Sequence, residues 1–463
     1  MNIFFISPSI NLNPCANYGI AVLCGIIKQK GYSVDLYQPT FFDLEEFRKK
    51  YFEKDYSLCL VSSVTNQWPY ALKYLKDLRK YSDIVAIVGG PHATSRPEIV
   101  EENKEINGIC LGEGDIALSE FLDKFEDKVS FYDIKSMWFR NDSEIIRNKI
   151  CNLIENLDNT VFPDLSVFST EAIENRISVM FSRGCPYNCT YCCNNGLRKL
   201  YSGKGKYVRI KSVQRAIEEV NKIIRTYKPT ELNFDDDTFI KDKNWTISFL
   251  NEYKKLTRTP FNCNSRPETL DEEVCHHLYE ANCKTLCVGI ENGNEEFRRK
   301  IYKRNTSNES IKRAFSLLHK YKLKSYAFNM VGAPDETYDL YRDTVKLNRE
   351  ILPKSHQITI YYPYPGTELY DYAKLKGYIK NDAYSDDFIS KSILQMKQFP
   401  RWKIQYAQKM FYYNVFRSPS KLSKIHHLTI NYIPKRMFPL YKSLHAFVWK
   451  TIVKSALLKK VIL

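Results

Sequence analysis

The 463-residue sequence has no long uninterrupted run of apolar residues, although 44% of its residues are hydrophobic. A helix that crosses a bilayer needs about 20 consecutive, mostly apolar residues, so we expect no membrane span. The opening segment, MNIFFISPSINLNP, lacks the positively charged region that begins a secretory signal. We therefore expect a cytoplasmic protein, in which the thirteen cysteines do not form a disulfide framework.

Acidic residues are missing from the end of the chain. No Asp or Glu follows Asp387, whereas fifteen Lys and Arg residues lie between 388 and 463, so this region carries almost all of the net charge of +16. Basic and apolar residues alternate there, as in KRMFPLYKSLHAFVWK, and predict a basic helical region over 381–463. Such a region suits peripheral contact with the anionic inner membrane surface. The alternatives are contact with an anionic substrate, contact with nucleic acid, and a solvated helical face that caps the preceding domain.

Short apolar strands alternate with helical segments over residues 1–140. The strands read NIFFISP, SVDLYQ, YSLCLVSSV, DIVAIVGG and GICLGEG. This alternation predicts a doubly wound, Rossmann-like domain with a parallel sheet covered on both faces. Ligands of such sheets bind beyond the carboxyl ends of the strands, where this chain has the small or Gly-rich segments SPS, SSVTN, GGPHAT and GEGD.

A second α/β series begins at residue 177, after a connector over 141–176 with weak periodicity. Its six strands read ISVMFSRG, ELNFDDD, FNCNSRP, TLCVGIEN, SYAFNMVGAP and ITIYYPYPG. Six successive strand–helix units over 177–380 predict a partial (β/α)6 barrel of the TIM type, with its active site at the carboxyl ends of the strands.

Three cysteines follow the first strand of this series with the spacing C-x-x-x-C-x-x-C: Cys185, Cys189 and Cys192. Cysteine thiolates are the usual ligands of iron–sulfur clusters. Three ligands on a four-iron cluster leave one iron without a protein ligand, and an open coordination position is typical of catalytic metal sites. A zinc site is the alternative, but it would need a fourth ligand. Cys193 directly follows Cys192, so we interpret its side chain as non-ligating.

The segment CPYNCTYC resembles the signature of the radical S-adenosylmethionine (SAM) superfamily, and the resemblance extends from about residue 177 to 380. It includes FDDDTF, RPETL, VGIENGNEE and NMVGAPDET at the ends of successive strands. The resemblance implies a 4Fe-4S cluster on Cys185, Cys189 and Cys192, with the remaining iron bound by the amino and carboxylate groups of SAM.

Four polar residues at the strand ends are candidate SAM contacts, and three of them match the superfamily's pattern: Asp236, Asp237 and Glu291. Asp236 and Asp237 match an acidic pair, and one of them would bind the cationic SAM molecule by charge-assisted hydrogen bonds. Arg266 could bind the SAM carboxylate, and Glu291 the ribose or the amine. The alternatives are capping of the next helix for the acidic pair and a salt bridge to a neighbouring strand-end acid for Arg266.

The first 140 residues resemble the cobalamin-binding domain of one radical SAM subfamily, the class B methyltransferases, through VGGPHATSRPE and ICLGEGD. The strand-end residues that would contact cobalamin are Ser63, Thr65, Gly89, Gly90, Pro91, Gly112 and Gly114. Methionine-synthase-like domains ligate cobalt with the histidine of a D-x-H-x-x-G loop, and this chain has SINLNPCANYG at that place. The resemblance therefore implies cobalamin bound without a histidine ligand, or a domain that has lost the cofactor.

The resemblance implies a radical SAM enzyme that cleaves SAM reductively at the cluster to a 5′-deoxyadenosyl radical, for cobalamin-dependent methylation of an unactivated carbon. The alternatives are a cyclase or rearrangement enzyme without methyl transfer, and an iron–sulfur sensor on nucleic acid. A sensor needs no SAM pocket, so the strand-end residues disfavour it. The implied partners are a small-molecule or lipid-linked substrate and an electron donor such as flavodoxin or ferredoxin.

Overall fold

The computed structural model describes residues 1–380 and 391–416, which form two successive α/β units. The sheet of the first unit has the strand order β2-β1-β3-β4-β5-β6-β7. Its strands are β1 (Asn2–Ile6), β2 (Ser33–Tyr37), β3 (Leu58–Ser62), β4 (Val85–Gly89), β5 (Gly108–Cys110), β6 (Met137–Asn141) and β7 (Glu144–Arg147). The first five strands are parallel, whereas β6 and β7 are antiparallel to their neighbours.

Helices cover both faces of the first sheet and confirm the doubly wound, Rossmann-like fold. They are α1 (Tyr18–Gln29), α2 (Leu44–Tyr51), α3 (Trp68–Leu78), α4 (Gly90–Ser95), α5 (Ile99–Glu102) and α6 (Asp115–Glu126). The strand order reverses between β1 and β3, which opens a crevice at the carboxyl ends of these strands. The sheet continues through β7 past residue 140, and the exact domain limits stay predictions.

The second unit is an open barrel of six parallel strands in sequential order, as predicted. The strands of this unit are β8 (Ile177–Val179), β11 (Leu232–Phe234), β12 (Phe261–Ser265), β13 (Cys283–Glu291), β14 (Lys324–Val331) and β15 (Ser355–Ile360), with a separate ribbon of β9 (Ser182–Arg183) and β10 (Arg209–Ile210). The helices are α7 (Thr170–Asn175), α8 (Cys193–Leu200), α9 (Val213–Tyr227), α10 (Lys243–Leu256), α11 (Glu272–Glu280), α12 (Glu295–Lys300), α13 (Asn308–Lys320), α14 (Tyr338–Ile351), α15 (Glu368–Leu375) and α16 (Arg401–Phe416).

Helix α9 illustrates how local sequence determines these elements. In α9, Ser212 caps the helix by accepting a hydrogen bond from the Arg215 backbone N–H at 3.1 Å. Ala216, Val220 and Ile223 recur at helical spacing and are buried against the strands. Two charged residues of the helix, Arg215 and Glu219, are also buried, so its inner face is mostly but not wholly apolar.

One hydrophobic core runs through both units. It joins α1 and α6 of the first unit to the outward-facing residues of β8, β11, β12 and β13. Lys211 lies buried at the boundary, where it pairs with Glu219 at 2.6 Å and donates to the Tyr18 hydroxyl at 2.5 Å. The two units are therefore packed together through apolar contacts as well as a buried ion pair.

Helix α16 belongs to the barrel rather than to a separate tail. Ile404, Ala407 and Phe411 are buried against β14, β15 and α14. The rest of the predicted basic region, 381–390 and 417–463, lies outside the described residues. Among the helices that the structure does describe, none is both long and apolar enough to cross a membrane.

Candidate active site

The cysteine loop lies at the carboxyl end of β8, between β9 and α8. Cys189 is buried, Cys185 and Cys192 are half-buried, and the exposed Cys193 begins α8. Gly184 opens the loop with a φ of 78°, and a Cβ at this position would lie 2.4 Å from the Tyr207 carbonyl oxygen. The turn thus requires glycine both for its backbone conformation and for its closeness to Tyr207, in the segment that leads into β10.

Hydrogen bonds from outside the motif fix the path of the loop. The Arg198 guanidinium donates to the carbonyl oxygens of Cys185 and Tyr187, the latter at 3.2 Å. The Thr190 backbone N–H donates to the Tyr302 carbonyl at 3.1 Å. The roles of Arg198 and Tyr302 are not predictable from the cysteine motif, and only the helical spacing of Arg198 from the loop points to its contact.

Two hydrogen-bond donors point at cysteine sulfurs. An Arg266 N–H lies 3.5 Å from Cys189 Sγ, and the Asn194 side-chain amide lies 3.7 Å from Cys192 Sγ. Burial raises the pKa of the Cys185 thiol to about 11, so a bare thiolate is disfavoured there without a compensating cation. Donors directed at sulfur are a feature of iron–sulfur sites, and the three cysteines therefore fit such a cluster.

A zinc site would gather its ligands around one ion. Within residues 1–380 and 391–416, no group of three or more His, Cys, Asp or Glu side chains lies close enough to hold a single metal ion. Cys193 makes a hydrogen bond with the Cys192 thiol that lowers the pKa of Cys192 to about 7. Cys193 thus touches one of the three motif cysteines, and its role as a non-ligand stays a prediction.

Arg266 is held by the protein on several sides. It donates to Glu268 at 2.6 Å and to the Thr306 hydroxyl at 3.1 Å, and its guanidinium carbon lies 3.6 Å from the centre of the Tyr187 ring. Its acidic partner is Glu268, in the turn that directly follows β12, and not an acid at the end of a neighbouring strand. Arg266 is 7% exposed, so it orders the cysteine loop through Tyr187 and Cys189.

Asp236 and Asp237 are adjacent in sequence but differ in surroundings. Asp236 is 1% exposed and accepts hydrogen bonds from the Phe181 backbone N–H at 3.2 Å and from the Ser182 hydroxyl. Its burial raises the pKa of its carboxyl group. Asp237 is exposed beside Cys185 and Cys192, and its side chain has no hydrogen-bond or ion-pair partner within the described part of the chain. Neither residue caps α10, because Asp242 does so.

Glu291 ends β13 on the same side of the barrel. Its φ is 70°, a left-handed conformation that costs energy for a residue with a Cβ and is found at functional sites. Burial raises the pKa of its carboxyl group, and the nearby Arg304 and a hydrogen bond from Tyr191 oppose that rise. The strand end thus presents a carboxyl group close to Tyr191 of the cysteine loop.

The inner face of the barrel is partly open. Asn264, Cys287, Tyr326 and Ser355 are register neighbours across β12 to β15, and all four are half-exposed. Their strand neighbours, such as Cys263, Leu286 and Ala327, are buried under the helices. Successive side chains of a strand point to opposite faces, so the half-exposed residues form a polar and aromatic wall inside the barrel.

The predicted cobalamin residues lie at the carboxyl ends of β3, β4 and β5, as expected from the strand pattern. The glycines there make room for protein atoms. A Cβ at Gly90 would lie 2.8 Å from Ser62 Oγ, and one at Gly112 would lie 2.0 Å from the Tyr201 hydroxyl. A Cβ at Gly114 would lie 3.3 Å from Leu23 Cδ2, whereas one at Gly89 would meet no atom closer than 3.8 Å.

Other predicted cobalamin residues differ in accessibility. Ser63 is buried and its hydroxyl donates to the Val64 carbonyl at 3.0 Å. Thr65 is half-exposed and its hydroxyl lies 3.3 Å from His92 Nδ1, while Pro91 is exposed at the start of α4. Thr65, Gly89 and Pro91 are therefore among the accessible predicted cobalamin contacts.

Neither the loop after β1, which contains no histidine, nor α4 presents an accessible histidine at the cobalamin edge. His92 is 5% exposed and stacks on Trp68 with the ring centres 5.1 Å apart; burial lowers its pKa to about 3. The loop after β1 extends the barrel sheet, since Ala16 bridges to Ile177 in parallel fashion and its N–H donates to the Arg176 carbonyl at 2.9 Å. The residues thus fit a cobalamin held without a histidine ligand to cobalt.

Comparison with known proteins supports both halves of this description. The radical SAM superfamily model matches residues 179–347, and the B12 binding domain model matches residues 12–122. An uncharacterized methyltransferase of Pyrococcus horikoshii is 26% identical over 420 residues, which are 88% of this chain and 89% of that protein. An anaerobic magnesium-protoporphyrin IX monomethyl ester cyclase of Cereibacter sphaeroides is 21% identical over 396 residues, 80% of this chain and 63% of that protein.

A solved structure shares the arrangement of the two units. The radical SAM methyltransferase TsrM of Kitasatospora setae, solved with cobalamin and a [4Fe-4S] cluster bound, superposes with a TM-score of 0.67 at 15% identity. The match covers 82% of this chain and 76% of TsrM, and at this identity it shows the fold. The chain therefore contains a radical SAM domain with a B12-binding domain ahead of it.

Proposed function

We propose that this protein is a cobalamin-dependent radical SAM methyltransferase that methylates an unactivated carbon of a biosynthetic substrate. The observation that carries the proposal is the cysteine loop: three cysteines with sulfur-directed donors, at the carboxyl ends of an open barrel and next to the carboxyl edge of the B12-binding domain. The P. horikoshii relative, named a methyltransferase and matched over most of both chains, favours methyl transfer.

The chain's own residues would bind, orient and shield the cofactors. Cys185, Cys189 and Cys192 would hold the 4Fe-4S cluster, which with SAM supplies the 5′-deoxyadenosyl radical, while cobalamin supplies the methyl group. Arg266 would keep Cys189 and Tyr187 in place. Asp237 would accept a hydrogen bond from the SAM ammonium, because its carboxylate is exposed and free beside the loop. Glu291 would hold the ribose or the amine from the far side of the loop.

The substrate would bind against the inner wall of the barrel at Asn264, Cys287, Tyr326 and Ser355. Amide, hydroxyl and aromatic groups suit a small molecule with hydrogen-bonding groups and a flat apolar part. An electron donor such as flavodoxin or ferredoxin would supply the reducing electron. Cytoplasmic location and peripheral membrane contact stay predictions.

A cyclase without methyl transfer is the second candidate. The relative from C. sphaeroides is named a cyclase, and it matches 80% of this chain. Both candidates share the radical-generating half of the site, so they differ only in the fate of the methyl group. With a substrate in hand, SAM carrying a labelled methyl group would separate them: label in the product supports the methyltransferase, and label retained only in methionine supports the cyclase.

Anaerobic reconstitution with iron and sulfide, followed by reduction in the presence of SAM, tests the proposal. We expect about four irons per chain and formation of 5′-deoxyadenosine from the wild type. Cys185→Ala, Cys189→Ala and Cys192→Ala should each abolish 5′-deoxyadenosine formation, because each removes a cluster ligand. Cys193→Ala is the matched control and should retain normal iron content. Loss of one iron from the Cys193 variant, or turnover by any of the other three, would contradict the ligand assignment.

A further inference from the structure

Glu113 links the first unit to the base of the cysteine loop. It lies between Gly112 and Gly114, in the loop after β5. Its carboxylate pairs with Arg183 at 2.7 Å, and Asp115 of the same loop pairs with Arg183 at 2.8 and 2.9 Å. Arg183 precedes Cys185 by two residues, so two carboxylates of the first unit hold the residue that begins the cysteine loop.

A second arginine holds Glu113 from the opposite strand of the ribbon. Arg209 of β10 is the register partner of Arg183 in β9. Its guanidinium donates to both oxygens of Glu113, one at 3.3 Å, and to the Ile154 carbonyl at 2.7 Å. The Arg209 side chain is 2% exposed, so salt in the solvent screens this pair far less than a surface pair.

Tyr201 makes the third link, from the end of α8. The Glu113 backbone N–H donates to the Tyr201 hydroxyl at 2.6 Å, and that hydroxyl occupies the space which a side chain at position 112 would need. Helix α8 begins directly after Cys192. The loop over 112–115 is therefore tied to both ends of the cysteine segment, through β9 before it and α8 after it.

We propose that Glu113 couples the two cofactor sites energetically, so that assembly of the cluster tightens cobalamin binding and cobalamin binding in turn stabilises the cluster loop. The inference rests on the proposed function. The physical basis is that buried, charge-paired loops cannot shift separately, because breaking one partner leaves the other charge unpaired. Coupling between two binding equilibria is reciprocal and typically amounts to about five- to 150-fold in affinity.

Optical titration with hydroxocobalamin measures this coupling directly. Wild-type protein with a reconstituted cluster should bind hydroxocobalamin at least about fivefold more tightly than the same protein without the cluster. In Glu113→Gln the ratio should fall to about one, because the neutral amide no longer pairs with two arginines. Glu102→Gln is the matched control: Glu102 pairs with Arg96 at 3.0 Å on the exposed surface of the same unit, and it should keep the wild-type ratio. A wild-type ratio of one, or an unchanged ratio in Glu113→Gln, would overturn the proposal.

Hydrogen exchange on the cofactor-free protein separates this inference from the proposed function. Glu113→Gln should raise the amide exchange of residues 183–201 in the second unit, whereas Glu102→Gln should not. Failure of the wild type to bind hydroxocobalamin would contradict the proposed function, and unchanged exchange over 183–201 would overturn the coupling through Glu113. If Glu113→Gln does not fold, Asp115→Asn is the replacement variant. It removes only the charge pair between Asp115 and Arg183. The ratio of hydroxocobalamin affinities with and without the cluster should then fall to a value between that of the wild type and one.

Discussion

At the scale of single residues, the two neighbouring carboxylates that follow β11 have different surroundings. Asp236 is committed to the Phe181 backbone and the Ser182 hydroxyl, and Asp237 has no such partner. A buried acceptor that already holds protein donors contributes to stability, whereas a free carboxylate next to a cationic ligand contributes to binding. The structure thus separates a pair that the sequence could only treat together.

Asp237→Asn should weaken SAM binding about ten- to hundredfold, because a hydrogen bond to a charged group contributes about 1.5–3 kcal/mol. Its stability should stay near that of the wild type. Asp236→Asn should instead lower the free energy of unfolding by about 1–3 kcal/mol, since an amide has one acceptor oxygen for the two donors that Asp236 holds. Equilibrium binding of SAM to the unreduced, reconstituted protein and denaturant unfolding measure the two effects. The reverse pattern would show that Asp236 is the SAM contact.

Arg266 shows the limit of reading one residue from its position on a strand. Its place at the end of β12 left a cofactor carboxylate and a neighbouring acid equally acceptable as partners. The structure gives it Glu268, Thr306, Tyr187 and the Cys189 sulfur, which are 2, 40, 79 and 77 residues away in sequence. These contacts depend on how segments of the barrel that are distant in sequence pack together, so the position of Arg266 on its strand could not predict them.

At the scale of elements, the cysteine loop depends on close packing between its backbone and the segment that leads into β10. Gly184 has a positive φ and no room for a Cβ, whereas Gly203, with a φ of 72°, has no atom within 4 Å of the position its Cβ would take. The two glycines therefore share a backbone conformation but differ in their surroundings, and they form a natural pair for comparison.

Gly184→Ala should lower the iron content after reconstitution to less than half, because the loop must move away from the Tyr207 carbonyl and carry Cys185 with it. Gly203→Ala should keep full iron content. Its free energy of unfolding should fall by only about 1–2 kcal/mol, which is the cost of a left-handed conformation for a residue with a Cβ. Iron analysis and thermal unfolding of both variants measure these effects. Equal iron loss in the two variants would show that backbone conformation alone, without the contact to Tyr207, controls the loop.

The loop after β1 is the element whose role the sequence concealed most. Its segment SINLNPCANYG contains no histidine, so the sequence already showed that the histidine of methionine-synthase-like domains is missing. Its docking on the edge of β8 was not visible, because the contact is made by the backbone of Ala16 and not by a characteristic side chain. Backbone pairing between distant segments leaves little trace in side-chain patterns.

At the scale of the whole molecule, charge is unevenly distributed along the chain. Ten of the fifteen Lys and Arg residues after Asp387 lie at 417–463, beyond α16. Helix α16 itself is packed into the barrel through Ile404 and Phe411, so a truncation that tests the basic region must retain it.

The full chain should sediment with vesicles of anionic lipid more strongly than a chain that ends at Phe416, because each basic residue near an anionic surface contributes about 1 kcal/mol. The difference should shrink as salt is raised, since the attraction is electrostatic. Neutral vesicles serve as the control. Equal sedimentation of the two chains would contradict peripheral membrane contact through residues 417–463.

Local pattern in the sequence was enough to determine the two α/β units, the six barrel strands and the cysteine segment. Strand periodicity, helix amphipathicity and ligand spacing are set by residues close together in the chain, so they can be read without tertiary structure. The roles predicted for residues at the strand ends were less complete, because a strand end predicts where a side chain lies and not which group it contacts.

Tertiary structure alone decided which side chains are free and which are already engaged. It placed Asp236 inside the protein and Asp237 beside the cysteines, filled the space over Gly112 with Tyr201, and joined Glu113 to Arg183 and Arg209 across the two units. These contacts link residues up to 96 positions apart. The burial of a side chain and its hydrogen-bond or ion-pair partners depend on how distant segments pack together, which local sequence patterns do not predict.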